Sequence, residues 1–105
     1  MAQLGTFLDA IASSMNRWRD LEFAYSALPM NATKFECSEA RHQSQAAMHI
    51  ALSVIGQACY EGIEEGRREL LPSSVTFEIV AKAADMPVEW VEDVYHGRIQ
   101  CRCSR

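Results

Sequence analysis

Thr33–Gly66 reads TKFECSEARHQSQAAMHIALSVIGQACYEGIEEG, and the architecture turns on whether this stretch forms one helix. Thr33 stands three residues before Glu36, the spacing of a capping box, in which each side chain satisfies a free backbone N–H at a helix start. Beyond it, Ala40, Ala47, Met48, Ala51, Leu52, Val54, Ile55, Ala58 and Cys59 take inward positions of a helix from about Lys34 to about Gly66. Many of these are small, so another backbone can come close. At about 1.5 Å per residue this helix is about 50 Å long, against a radius of gyration of about 13 Å for a compact chain of this size. One copy of the remaining sequence cannot easily cover it, although a kink at Gly56 or Gly62 would shorten the span. A homodimeric bundle is therefore expected, with Ala40, Ala47, Ala51 and Ile55 at the interface.

Towards the N-terminus, Leu4, Phe7, Leu8, Ile11, Met15, Trp18, Leu21, Tyr25 and Leu28 recur at steps of three and four, one stripe of a long first helix. Thr6 with Asp9 is a candidate cap for its start, and Pro29 stops it. The short loop PMNAT then leads into the second helix, giving an antiparallel pair over residues 1–66.

Towards the C-terminus, Pro72 and two serines break the chain before TFEIVAKAADMPVEWVEDVYHGR, Thr76–Arg98. Thr76 is placed to cap a third helix. Residues 74–97 resemble the helix-turn-helix of bacterial repressors: Thr76, Ala81, Ala84, Val91 and Val94 match the opening, crossing and buried aliphatic positions, and Gly97 matches the closing glycine. Asp85 stands where that pattern has Gly, a position Asp can fill in a left-handed conformation. Pro87 takes the cap position of the second helix, where proline suits a helix start.

The resemblance implies DNA reading, and the side chains oppose it. Base edges are read by Arg, Lys, Asn or Gln, and phosphate affinity comes from positive charge. The second helix instead carries Glu89, Glu92 and Asp93, with no basic residue unless His96 is protonated. Arg98, Arg102 and Arg105 lie beyond it in a short basic, Cys-containing tail, residues 98–105.

The 105 residues, 49% hydrophobic, suit one all-α domain. The net charge of -4 argues against a general nucleic-acid binder. Residues 1–66 hold the entire excess, with four basic side chains against eight acidic ones. Asp9 interrupts the first apolar stretch and no basic residue precedes it, so a secretory signal is not expected and the chain reads as cytoplasmic. The most apolar run, Ala46–Tyr60, is too short to span a membrane. Cys37 and Cys59 are expected as reduced thiols, since long helical periodicity needs no disulfide staples.

Catalytic patterns are weak. Glu39 and His42 have the Glu-x-x-His spacing of di-iron bundles, but no second copy exists, and both suit a solvated surface. His42 and His49 share one helix face. Cys101, Cys103 and His96 are soft metal ligands at a spacing that matches no strong zinc pattern and lack a fourth ligand. No glycine-rich phosphate loop or nucleophile triad is present. Neither a metal nor a cofactor is expected, and enzymatic activity is not.

Binding is the better reading. Trp18, Phe23, Tyr25, Met30 and Phe35 gather around the end of the first helix and the following loop. Any that are exposed would form anchors of the kind that carry energy at protein interfaces. In overall size, acidity and helical plan the chain resembles the small bacterial antiactivators that bind quorum-sensing transcription factors. That resemblance implies a regulator that inhibits a partner protein; on the reading of the residues, apolar helix faces would supply affinity and the acidic rim with Glu89, Glu92 and Asp93 orientation. The alternative is a helix-turn-helix repressor, whose dimer would set two recognition helices in successive major grooves and use His96, Arg98 and Arg102 on DNA.

Overall fold

A computed structural model describes residues 2–98 of the chain, all of whose regular structure is helical: α1 (Ala2–Ser26), α2 (Lys34–Arg68), α3 (Ser73–Ala84) and α4 (Val88–Tyr95). The capping box at α2 is complete. The Glu36 N–H donates to Thr33 Oγ1 at 3.1 Å, and the Thr33 N–H donates to Glu36 Oε1 at 3.4 Å. Near the α1–α2 loop, Ser44 Oγ donates to Glu22 Oε1 at 2.9 Å, whereas at the far end Leu4 lies against Gly62, so the two helices run antiparallel.

Two expected helix starts are displaced. α1 begins at Ala2, so Thr6 and Asp9 lie inside it. α3 begins at Ser73 with Pro72 at its cap, which puts Thr76 a turn inside the helix, where it is buried against α2. Gly62 explains this: lacking a side chain, it leaves room for the Thr76 methyl, and packing there outweighs the capping preference of a threonine.

Helices α2, α3 and α4 end alike. In each, one N–H reaches back five residues and the preceding N–H three, the double bond of a Schellman motif. The long bonds run from Leu71 to the Gly66 carbonyl at 2.8 Å, from Met86 to Ala81 at 3.1 Å, and from Arg98 to Asp93 at 2.8 Å. The residue that must turn left-handed is Leu70 (φ 59°), Asp85 (φ 56°) and Gly97 (φ 76°), respectively. Asp85 thus adopts the left-handed conformation expected of it, and Gly97 closes α4.

Hydrophobic burial is one-sided. Leu4, Ile11 and Met15 of α1 pack with Ala51, Leu52, Ile55, Ala58, Cys59 and Ile63 of α2, with Phe77, Val80, Ala81 and Ala84 of α3, and with Val91 and Val94 of α4. Among residues 16–43, none is buried. Beyond Glu22 the far end of the α1–α2 pair is a two-helix arm, projecting from a four-helix body. The molecule measures 56 × 25 × 19 Å with a radius of gyration of 15.8 Å, above the roughly 13 Å of a compact chain this long.

This arrangement corrects the expected dimer face. Ala47, Ala51 and Ile55 are buried by the chain's own helices, leaving them no surface for a second copy, and Ala40 is half-buried within the arm. The long helix is covered over its C-terminal half by α1, α3 and α4 together, a solution that its length alone did not suggest.

Candidate functional site: the face of α4 and the adjoining tryptophan groove

α4 is short and strongly two-sided. Val91 and Val94 are buried against the body, and Glu89, Glu92, Asp93 and His96, at steps of three and four, occupy the opposite side. Glu89 is exposed, while Glu92 and Asp93 are half-exposed. Glu89 in the first turn also favours the positive end of the helix dipole, so part of this acidity serves the helix itself. Arg98 folds back onto Asp93, its Nε donating to Oδ1 at 2.7 Å. His96 sits edge-on to Tyr95, ring centres 5.1 Å apart, and 6.3 Å from Phe77. Two of the groups assigned to DNA in the alternative reading are thus already engaged within the protein, and Arg102 lies outside the described residues, as do Arg105, Cys101 and Cys103.

Beside this face lies a groove that the sequence reading did not anticipate. The α1 and α4 backbones do not approach each other, yet their indoles bridge the gap: Trp18 and Trp90 stack with centroids 6.3 Å apart and planes 18° apart. Met15, Arg19 and Glu22 complete an open groove of about 420 Å³. Glu22 is the organiser, accepting from Trp18 Nε1 at 3.3 Å and from Ser44 Oγ at 2.9 Å. Arg19 donates from NH2 to the Ala84 carbonyl at 2.9 Å, placing a cation at the C-terminal end of α3, and lies 3.9 Å from the Asp85 carboxylate. Trp90 stands four residues before Val94, at the edge of the buried stripe, so its spacing alone does not distinguish it from a core residue.

The expected partner-binding set is therefore divided. Trp18 belongs with α4 in the body. Phe23, Tyr25, Met30 and Phe35 lie on the arm, with relative exposures of 74%, 39%, 105% and 77%. A half-buried position for Cys37 and full burial for Cys59 leave both as free thiols, and burial pushes the Cys59 thiol up to about 12. Glu39 accepts from Gln43 Nε2 at 3.3 Å, and His42 and His49 are exposed on the outer side of α2. Among the described residues, no three His, Cys, Asp or Glu side chains converge on a point that could hold a metal ion. No described helix is long and apolar enough to cross a membrane. Comparison with protein-family models, with curated proteins and with solved structures finds no match to this chain.

Proposed function

We propose that this protein is a small regulatory protein that captures and inhibits another protein, docking it on the outward face of α4 and the adjoining tryptophan groove. The observation that carries this reading is the stacked pair of half-buried indoles in an open groove, one of them on α4, whose outward side carries Glu89, Glu92 and Asp93. Trp at a partly enclosed site is a typical energetic anchor, and an acidic rim orients a basic partner and speeds its encounter. The partner that fits is a protein with a basic surface and an apolar side chain able to enter the groove. DNA-binding transcription factors offer such surfaces, and covering one would block its contact with DNA.

DNA binding through the same hairpin is the competing reading. Favouring the protein partner are the acids on α4, which repel phosphate, and the pairing of Arg98 with Asp93.

A tagged copy, used to capture proteins from a nuclease-treated native lysate, tests this together with the double variant Glu89→Lys/Glu92→Lys and with Trp18→Ala. One protein recovered in near-equal amount with the unaltered chain, and depleted at least about tenfold with each variant, is the expected result. Equal recovery with all three would sink the proposed face. A lysine variant that loses no protein and gains sequence-specific DNA binding at moderate salt would replace this reading with the repressor.

A further inference from the structure

The tryptophan groove holds a charge that the fold does not neutralise. Its charged lining consists of Arg19 and Glu22. Arg19 is already engaged: its guanidinium donates to the Ala84 carbonyl at the end of α3 and lies 3.9 Å from the Asp85 carboxylate. Glu22 receives no such counter-charge. The hydrogen bonds it accepts, from Trp18 Nε1 and Ser44 Oγ, both end on Oε1, and among the described residues no donor reaches Oε2. Ser44, on α2, is buried, so its bond ties this carboxylate to the scaffold.

The rest of the lining is apolar and aromatic. Met15 is buried and gives the groove an apolar floor, and the stacked indoles of Trp18 and Trp90 are half-buried beside it. Of the natural side chains, indole attracts a cation to its face most strongly. A fixed carboxylate next to a pair of indoles therefore selects by charge. An anion is repelled by Glu22, and a neutral apolar group would cover Oε2 without giving it a donor. A cation meets both the ring quadrupole and the carboxylate.

Among cationic side chains the groove favours arginine over lysine. A guanidinium is planar, so it can lie on an indole face while an N–H at its edge reaches a carboxylate, and it gives up water more readily than an ammonium. Its methylene stem is apolar and suits the Met15 floor.

We infer that the groove is an arginine pocket: an arginine of the partner protein lays its guanidinium against the indole pair, donates to Glu22 Oε2 and runs its stem over Met15. This rests on the docking face proposed above and specifies what enters it, the apolar part of the entering group being the arginine stem. It also adds Glu22 of α1 to the groups that select a basic partner.

Nuclear magnetic resonance of the isotopically labelled full chain tests the pocket with short peptides of alanine and leucine that differ only in a central arginine, lysine, citrulline or leucine. Citrulline has the shape of arginine without its charge. The arginine peptide should shift the indole N–H resonances of Trp18 and Trp90 saturably and bind about tenfold more tightly than the citrulline peptide, with lysine between them. Glu22→Gln keeps an oxygen for Trp18 Nε1 and Ser44 Oγ but loses the charge. It should weaken arginine binding by about threefold and leave citrulline binding unchanged. Arginine and citrulline binding alike, leucine binding most tightly, or an arginine peptide that gives no saturable shift overturns the inference. So does an arginine preference that survives Glu22→Gln intact. Capture from the lysate is read separately: a chain that recovers a protein through the α4 face but ignores arginine keeps the docking face and loses the pocket, and an arginine-selective chain that captures nothing does the reverse.

Discussion

Gly62 and Thr76 set the distance between α2 and α3: a Cβ placed on Gly62 would stand 2.6 Å from Thr76 Cγ2, closer than real side chains come. The same imaginary Cβ would be 3.2 Å from Thr76 Oγ1 and 3.2 Å from Leu4 Cδ2, so α1, α2 and α3 all converge on this glycine. Gly62→Ala should therefore destabilise the fold by about 1–3 kcal/mol, the cost of overpacking a tight contact. Thr76→Ser removes the closest atom, and combining it with Gly62→Ala should recover much of the loss. Urea denaturation of the two single variants and the double variant gives the coupling; strictly additive effects would mean that the contact is not shared.

Leu70 is the exception among the three left-handed helix ends. A side chain in that conformation costs about 1–2 kcal/mol relative to glycine, offset by glycine's greater freedom when unfolded, about 0.5–1 kcal/mol. Because Leu70 is 92% exposed, little burial is lost on its removal. Leu70→Gly should stabilise the protein by about 0.5–1 kcal/mol, raising the thermal midpoint by several degrees. A lowered midpoint would mean that this leucine has a packing role of its own.

Arg19 ties α1 to the end of α3 through the Ala84 carbonyl. Arg19→Ala should cost about 1 kcal/mol, the worth of a partly buried bond from a charged donor. Asp85→Asn should cost less than about 0.5 kcal/mol, since its carboxylate is 92% exposed and 3.9 Å from the guanidinium. Chemical denaturation separates the two, and equal losses would shift the weight from the carbonyl bond to the ion pair.

Cys59 makes a prediction about pH. Its thiol is raised from 9.0 to about 12 by burial, so the folded protein keeps a proton that the unfolded chain releases. The contribution is intact below pH 9 and is lost as pH climbs from there towards 12. The thermal midpoint should fall above pH 9 more steeply in the native sequence than in Cys59→Ala. Below that pH, a thiol reagent should modify half-buried Cys37 much faster than Cys59, and comparable rates would contradict the burial.

Much of the fold was legible because its signals were local. The Thr33–Glu36 pair marked the start of α2, Pro87 opened α4, and Asp85 and Gly97 follow helix ends in the left-handed conformation that suits Asp and Gly. Readings that depended on which surfaces meet fared differently. Ala47, Ala51 and Ile55 had the size and spacing of an interface, and the chain's own helices took that place; spacing gives a face its composition without naming its neighbour. Thr76 looked like a cap until Gly62, fourteen residues earlier, turned out to hold its methyl group. The groove was hidden for the same reason. Trp18 and Trp90 lie 72 positions apart, and only the antiparallel return of α2 and the turn at Asp85 bring them together.

The stacking of those two indoles has an optical consequence. The sequence contains two tryptophans, and both line the groove. All indole emission and the indole part of the near-ultraviolet dichroism of the native chain therefore originate at the junction of α1 and α4, and the coupling of the two rings depends on how closely they are held. Any molecule that wedges between or covers them would change that signal without a label, and one that settles on the arm would leave it untouched. The protein thus carries its own spectroscopic reporter, placed to distinguish occupancy of one surface from occupancy of the other.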